Sequence, residues 1–298
     1  MSNELKKRQR LPRWMRMPMP GGKLYMDVKE VVERNKLHTI CTSGNCPNIG
    51  ECWAEGTATF MILGDICTRS CKFCAVKTGR PGPVDLNEPR RLAESIRKMK
   101  IRHAVITSVD RDDLPDRGSG FWAETVRVLK EEVPGLTMET LIPDFDGQAE
   151  WVQKVIDARP DVISHNLETV RRLTPKIRSK AKYETSLAVV RQIAQSDAVS
   201  KSGIMLGLGE TEKEVLETMD DLRDTGCEVM TIGQYLQPSM QHMPVEEYIP
   251  PEQFKAYEQI GLKKGFRFVE SSPLVRSSYH AQKHLLNNTQ DQTSHGDH

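Results

Sequence analysis

The chain of 298 residues reads as an α/β protein built on a parallel, barrel-like sheet of six βα units, open or closed. Three observations predict this. Short β-like runs alternate with helical segments from residue 58 to about residue 264. The connections between them are short, as in strand-helix-strand units. The cysteine-bearing and polar clusters fall just after strand-like runs, where barrels of this kind collect their chemistry.

Taken in order, residues 1–26 carry Lys6, Lys7, Arg8, Arg10, Arg13 and Arg16 against Glu4 alone. Pro12, Pro18 and Pro20 break any helix there, so the segment reads as a basic docking arm or plain disorder rather than a transit peptide. Asp27 with Glu30 three residues on has the pattern of a helix cap, ahead of Val28, Val31, Val32 and Leu37. Strands are expected at 59–63, 103–107, 136–141, 161–164, 202–207 and 228–232. Helices are expected at about 88–99, 119–132, 147–158, 183–195, 212–224 and 251–264, with Thr211-x-x-Glu214 as a capping box. The Asn/Gln/Asp/His-rich tail from Asn287 reads as disordered. This divides the chain into an arm with the first cysteine motif (1–57), a βα barrel (58–270) and a C-terminal segment with its tail (271–298).

With 42 basic and 41 acidic residues the net charge is +1, which argues for neither nucleic acid nor a membrane surface. No apolar run approaches the ~20 residues that span a bilayer, and the expected location is cytoplasmic. Six of the seven cysteines form two triplets, Cys41-x4-Cys46-x5-Cys52 and Cys67-x3-Cys71-x2-Cys74, at metal-ligand spacing. Structural zinc favours paired knuckles that make four ligands, and two successive triplets do not. Three thiolates can hold three irons of a four-iron cluster and leave the fourth without a protein ligand. Cys227 stands apart and reads as a buried structural thiol. Three polar strings follow strand-like runs and would face one cavity: Thr107-Ser108-Val-Asp110-Arg111-Asp112-Asp113, Ser164-His165-Asn166-Leu-Glu168-Thr169 and Gly207-Leu-Gly209-Glu210.

Cys67-Thr-Arg-Ser-Cys71-Lys-Phe73-Cys74 resembles the signature of the radical S-adenosylmethionine (SAM) superfamily. That resemblance implies that the open iron takes the amino and carboxylate groups of SAM, which is cleaved reductively to a 5′-deoxyadenosyl radical, while Phe73 shields the cluster. Gly203-x-Met205-x-Gly207-x-x-Glu210 is similar to the superfamily's adenine-contacting pattern; strand-helix packing is the other reading of these glycines.

The first triplet, the second triplet and Arg276-Ser277-Ser278-Tyr279 together resemble the lipoyl synthase family, from Leu11-Pro-Arg-Trp14 to Tyr279. The resemblance implies a partial (β/α)6 radical SAM barrel with an N-terminal cluster-binding extension and a C-terminal segment closing on it. It implies two 4Fe-4S clusters, one on Cys67, Cys71 and Cys74, the other an auxiliary sulfur donor on Cys41, Cys46, Cys52 and Ser278, with Ser277 as the neighbouring alternative. As a radical SAM sulfurtransferase, such an enzyme inserts two sulfur atoms at carbons 6 and 8 of a protein-bound octanoyl-lysine and consumes two SAM. By the same resemblance Ser108, Asn166, Glu168, Arg191, Met205, Gly207 and the Gln234-Tyr-Leu-Gln-Pro238 segment contact SAM or line its cavity. Implied partners are octanoylated lipoyl carrier domains (2-oxoacid dehydrogenase E2 subunits, the glycine cleavage H protein), a low-potential donor such as flavodoxin or ferredoxin, and an iron-sulfur carrier for cluster repair. Asp116-Arg117-Gly118 departs from the glycine pair common in the family. Biotin synthase resembles only the barrel half, and a non-catalytic electron carrier would close its clusters with four protein ligands.

Overall fold

A computed structural model describes residues 10–15, 23–34, 37–40, 48–54, 57–278 and 281–285. Cys41, Cys46, Tyr279, most of the basic arm and the tail from Asn287 lie outside the described residues. The elements run α1 (Lys23–Arg34), β1 (His38–Thr39), α2 (Ile49–Ala54), β2 (Thr57–Ile62), β3 (Ile66–Cys67), β4 (Lys77–Thr78) and α3 (Glu88–Lys98). They continue with β5 (His103–Ser108), α4 (Ser119–Glu132), β6 (Thr137–Leu141), α5 (Ala149–Asp157), β7 (Val162–Ser164), α6 (Thr174–Ile177) and α7 (Tyr183–Ala194). The last are β8 (Val199–Leu206), α8 (Glu212–Asp224), β9 (Val229–Gln234), α9 (Pro251–Lys263) and β10 (Phe268–Ser271).

One eight-stranded sheet has the order β1-β2-β5-β6-β7-β8-β9-β10. Only β1 is antiparallel, on β2; every other neighbour pair in this sheet is parallel, as strand-helix-strand crossovers require. The six expected strands are present. Two more join them, β1 at one edge and β10 at the other, both too short for a periodic pattern to announce. The expected cap at Asp27 is overturned, because α1 already begins at Lys23 and Asp27 sits inside it. The capping box of α8 is real: Thr211 Oγ1 accepts from Glu214 N at 3.3 Å, and the Glu214 carboxylate accepts from Thr211 N at 2.8 Å.

Helices cover the outer face of the sheet through two apolar clusters. One gathers Trp53, Phe60, Leu92, Ile96, Trp122, Val126 and Leu129 around the first half of the sheet. The other gathers Leu187, Val215, Met219, Met230, Ile232 and Phe254 around the second half. Cys227 is fully buried in the second cluster, and burial pushes its thiol up to about 12, consistent with an inert packing group. No helix among the described residues is long and apolar enough to cross a membrane. Tyr25 stacks on Trp53 between α1 and α2 at 5.3 Å, and Asn48 Nδ2, just before α2, donates to Leu274 O in the C-terminal segment at 2.7 Å. The segment carrying Cys52 is thereby tied to the residues that precede Arg276-Ser277-Ser278.

Candidate active site

The Cys67–Cys74 loop leaves the sheet just after β2, at the carboxyl end of the parallel strands. Backbone hydrogen bonds pin it from several directions. Thr68 N donates to Asp110 O at 3.1 Å, Lys72 N to Ile177 O at 2.8 Å and Met243 N to Lys72 O at 2.9 Å. His242 Nε2 also reaches Cys74 O at 2.9 Å.

Arg69, between the first two cysteines, is nearly enclosed. Its guanidinium meets Asp112 at 2.9 Å, Asp144 at 2.8 Å, Asp110 at 3.3 Å and Asp146 at 3.4 Å. Arg117 and Lys180 add two more cations at Asp112 and Asp146. The planar fork of arginine suits this many carboxylates where lysine would not. Burial raises the Asp110 carboxyl to about 6 even though Arg69 pulls it down. Burial also works against the Asp112 carboxylate, but Arg69 and Lys180 outweigh it and hold Asp112 near about 2.

Backbone amides converge on the Cys67 sulfur. Cys67 Sγ accepts from the backbone N–H of Arg69 at 3.4 Å and of Asp110 at 3.3 Å, an arrangement that stabilises an anionic sulfur. Burial, with the Asp110 charge adding to it, pushes the Cys67 thiol up to about 11, and burial pushes Cys74 to about 12. A bound cation reverses such shifts by favouring the thiolate. Cys67 and Cys74 both feel the charge of Cys71, so the three thiols share one neighbourhood. Three thiolates on one short loop suit a four-iron cluster, in which each takes its own iron.

Two adjoining cavities of 320 and 270 Å³ open beside the loop and share Ile40, Phe73, Cys74, Asn166, Glu168 and Ser277 as walls. Met205 and residues 234–238 line the larger; Cys67, Cys71, Ser108, Asp110 and Arg178 line the smaller. Phe73, Ser108, Asn166, Glu168 and Met205 thus each line one or both of these cavities. Glu168 holds a left-handed backbone at φ 68°, a strained setting for a non-glycine residue. Burial pushes its carboxyl up, while Arg178 and Asn166 draw it down. Asn166 Oδ1 and Arg178 Nε are buried without a hydrogen-bond partner, an arrangement that fits a polar ligand. Gly203 is another wall; a Cβ there would lie 2.2 Å from Thr231 Oγ1 and 3.3 Å from Asn166 Oδ1.

Two expected contacts fall elsewhere. Arg191 is exposed in the last turn of α7 and lines neither cavity, because a helix that runs antiparallel to the strands ends at their amino edge, away from the mouth. Gly207 also lines neither cavity. At φ 95°, with a Cβ position 2.2 Å from Gln234 Nε2 and 2.4 Å from Glu247 O, it serves close packing. Ser277 rather than Ser278 walls both cavities, its Oγ accepting from Asn166 Nδ2 at 2.8 Å. Cys52 is half-buried in α2. In the departing loop, Asp116 accepts from Gly118 N at 3.0 Å and Gly120 N at 2.8 Å and so ties down the start of α4.

Sequence reading missed Arg69, Asp144 and Arg178, since a lone Arg or Asp carries no directional signal. His165 was legible only as part of a polar string. It is buried, with Nδ1 beside Ile142 O and Nε2 beside Ser186 Oγ, both at 2.9 Å. Burial and Arg178 lower its pKa to about 4. A histidine whose folded pKa lies below its unfolded value of about 6.5 gives full stability above pH 6.5 and loses it as pH falls toward 4. The loss is at most about 3 kcal/mol. Urea unfolding of the parent is therefore expected to weaken across this window more steeply than that of His165→Gln. Parallel pH profiles would exclude His165 as the source.

The radical SAM superfamily pattern matches residues 61–222. The lipoyl synthase of Bacteroides fragilis is 61% identical over 279 residues, covering 94% of this chain and 97% of the relative. That of Treponema denticola is 59% identical, covering 93% and 96%. The mitochondrial lipoyl synthase of Nematostella vectensis is 60% identical, covering 93% and 96%. Among solved structures, methylornithine synthase superposes with a TM-score of 0.57 at 13% identity, covering 83% of this chain and 69% of that one. The FeFe-hydrogenase maturase of Carboxydothermus hydrogenoformans gives 0.58 at 15%, covering 88% and 60%; at such identities the likeness speaks for the fold alone. A cysteine loop at the mouth of a parallel partial barrel is joined by identity near three fifths over almost the whole length, and this chain belongs to the lipoyl synthase family of the radical SAM superfamily.

Proposed function

We infer that the chain carries out the lipoyl synthase reaction, inserting sulfur at carbons 6 and 8 of an octanoyl chain held on a lysine of a lipoyl carrier domain. One observation carries the residue assignments. Ile40, which immediately precedes Cys41, and Ser277 of the Arg276-Ser277-Ser278 turn wall the same cavities as Phe73 and Cys74. Chain neighbours of both proposed ligand sets thus wall one chamber, which supports the reading that the two clusters face it.

Cys67, Cys71 and Cys74 hold the 4Fe-4S cluster that superfamily membership implies; Cys41, Cys46 and Cys52, with Ser278 or Ser277, hold a second. When bound, the first cluster and SAM supply hydrogen-atom abstraction at carbons that have neither acidity nor a leaving group, and the second supplies the sulfur. The chain's own groups prepare the chamber. Arg69 clamps the cysteine loop through its four carboxylates. Asn166, Glu168 and Arg178 present polar atoms to the charged end of SAM. Phe73, Ile40, Met205, Leu236 and Pro238 give the apolar wall that an octanoyl chain and a water-free radical step both need. The carrier would be an E2 lipoyl domain or a glycine cleavage H protein, with flavodoxin or ferredoxin as reductant and an iron-sulfur carrier restoring the spent cluster.

The test separates the two triplets. Alanine at Cys41, Cys46 and Cys52 together is expected to leave 5′-deoxyadenosine formation in place while an octanoylated carrier peptide gains no sulfur by mass spectrometry. Sulfur on the peptide in that variant would move the donor elsewhere.

A further inference from the structure

Lys201 of β8 and Glu139 of β6 form an ion pair at 2.8 Å with both side chains fully buried, and neither lines the chamber. A lysine ammonium has three N–H donors, and burying it is costly unless they find acceptors. The acceptors in reach are Glu139 Oε2, the Ser277 carbonyl, and His284 Nδ1 at 3.4 Å. Two of these three belong to the C-terminal segment. For His284 Nδ1 to accept, the ring is the neutral Nε2–H tautomer. Glu139 is further held by Ser164 Oγ at 2.6 Å, which anchors the pair in the strands.

The same segment is held at further described residues. Asn166 Nδ2 donates to Ser277 Oγ at 2.8 Å, and Arg267 Nη2 donates to His284 O at 2.7 Å. Gly233 lets the segment approach, since a Cβ there would lie 2.2 Å from Val275 O. A passive tail needs no buried ammonium. A turn whose position matters to a fraction of a bond length gains from one, because the alternative to docking leaves Lys201 with Glu139 alone.

We propose that the Lys201–Glu139 pair is a positioning device for sulfur transfer, docking the Ser277–Ser278 turn so that the auxiliary cluster is held at a set place beside the chamber. This rests on the reading that a serine of this turn completes that cluster. Lys201 and Glu139 act through the turn and touch neither substrate nor SAM.

The decisive variant is K201M/E139M. Replacing a buried ion pair by apolar residues of similar volume keeps the barrel stable, whereas Lys201→Met alone strands the Glu139 charge. In the reconstituted holoenzyme, thermal unfolding is expected close to the parent. Amide hydrogen exchange of residues 274–285 is expected to quicken about tenfold or more with the strands unchanged, as for a locally opened unit. SAM cleavage to 5′-deoxyadenosine falls by less than sulfur insertion into an octanoylated peptide, which drops about 10- to 100-fold, the usual cost of losing a ligand's support. Unchanged exchange at 274–285 overturns the docking role, and quickened exchange with parental sulfur insertion overturns its link to sulfur transfer. If the apolar pair fails to fold, His284→Phe removes one acceptor from the segment's side and must give the same selective loosening. The ligand reading is judged separately: a Ser277→Ala/Ser278→Ala variant that keeps the parental iron content and paramagnetic resonance spectrum refutes that reading, whereas the exchange comparison holds with or without a cluster.

Discussion

Alanine at Cys67, Cys71 and Cys74 together is expected to abolish SAM cleavage and, on the two-cluster proposal, to lower the iron content from about eight to about four per chain. Among the described residues the remaining cysteines are Cys52, on α2, and Cys227, sealed in the core. The cluster also has no second path to the protein, since the Arg69 and Asp110 amides can support a sulfur but cannot bind iron in its place. The measurements are iron analysis and chromatographic detection of 5′-deoxyadenosine under anaerobic reduction. Residual 5′-deoxyadenosine above the reductant-free control would refute the assignment of this loop.

Arg69→Met is expected to cost about 3–5 kcal/mol of stability, the range for removing one partner of a buried ionic network. The side chain is 4% exposed and faces Asp144, itself 3% exposed, with Asp110, Asp112 and Asp146 around them. Without the guanidinium these carboxylates repel one another in a poorly solvated space, and either protonate or open the loop. Because Arg69 sits between Cys67 and Cys71, the same change should speed loss of the first cluster in the presence of a chelator. Arg69→Lys keeps a charge but not the fork, so its loss should be intermediate. A chemical denaturation midpoint equal to the parent's would show that solvent already shares this network.

The sequence by itself determined what depends on neighbours along the chain. Cys67-x3-Cys71-x2-Cys74 must place three thiols on one short loop whatever surrounds it. Periodicity located the strands at residues 57–62, 103–108 and 229–234 to within a few positions, and Thr211 with Glu214 announced its helix start. The wall residues Asn166 and Glu168 were legible because strand ends in a parallel sheet face the same mouth, whereas Phe73 and Met205 stood out only through the resemblance to the superfamily's motifs. The tertiary structure alone decided the pairings of distant charges. Arg191 and Arg178 are alike as letters, but helix direction sends the first to the outer amino edge and leaves the second in the wall beside Glu168. Arg69 meets carboxylates 41 to 77 positions away, and Lys201 meets Ser277 76 positions on. Local spacing is set by covalent geometry and hydrogen bonds within a few residues. The cost of burying a charge is set by whichever groups the closed fold brings to it, and that is known only once the strands are in register.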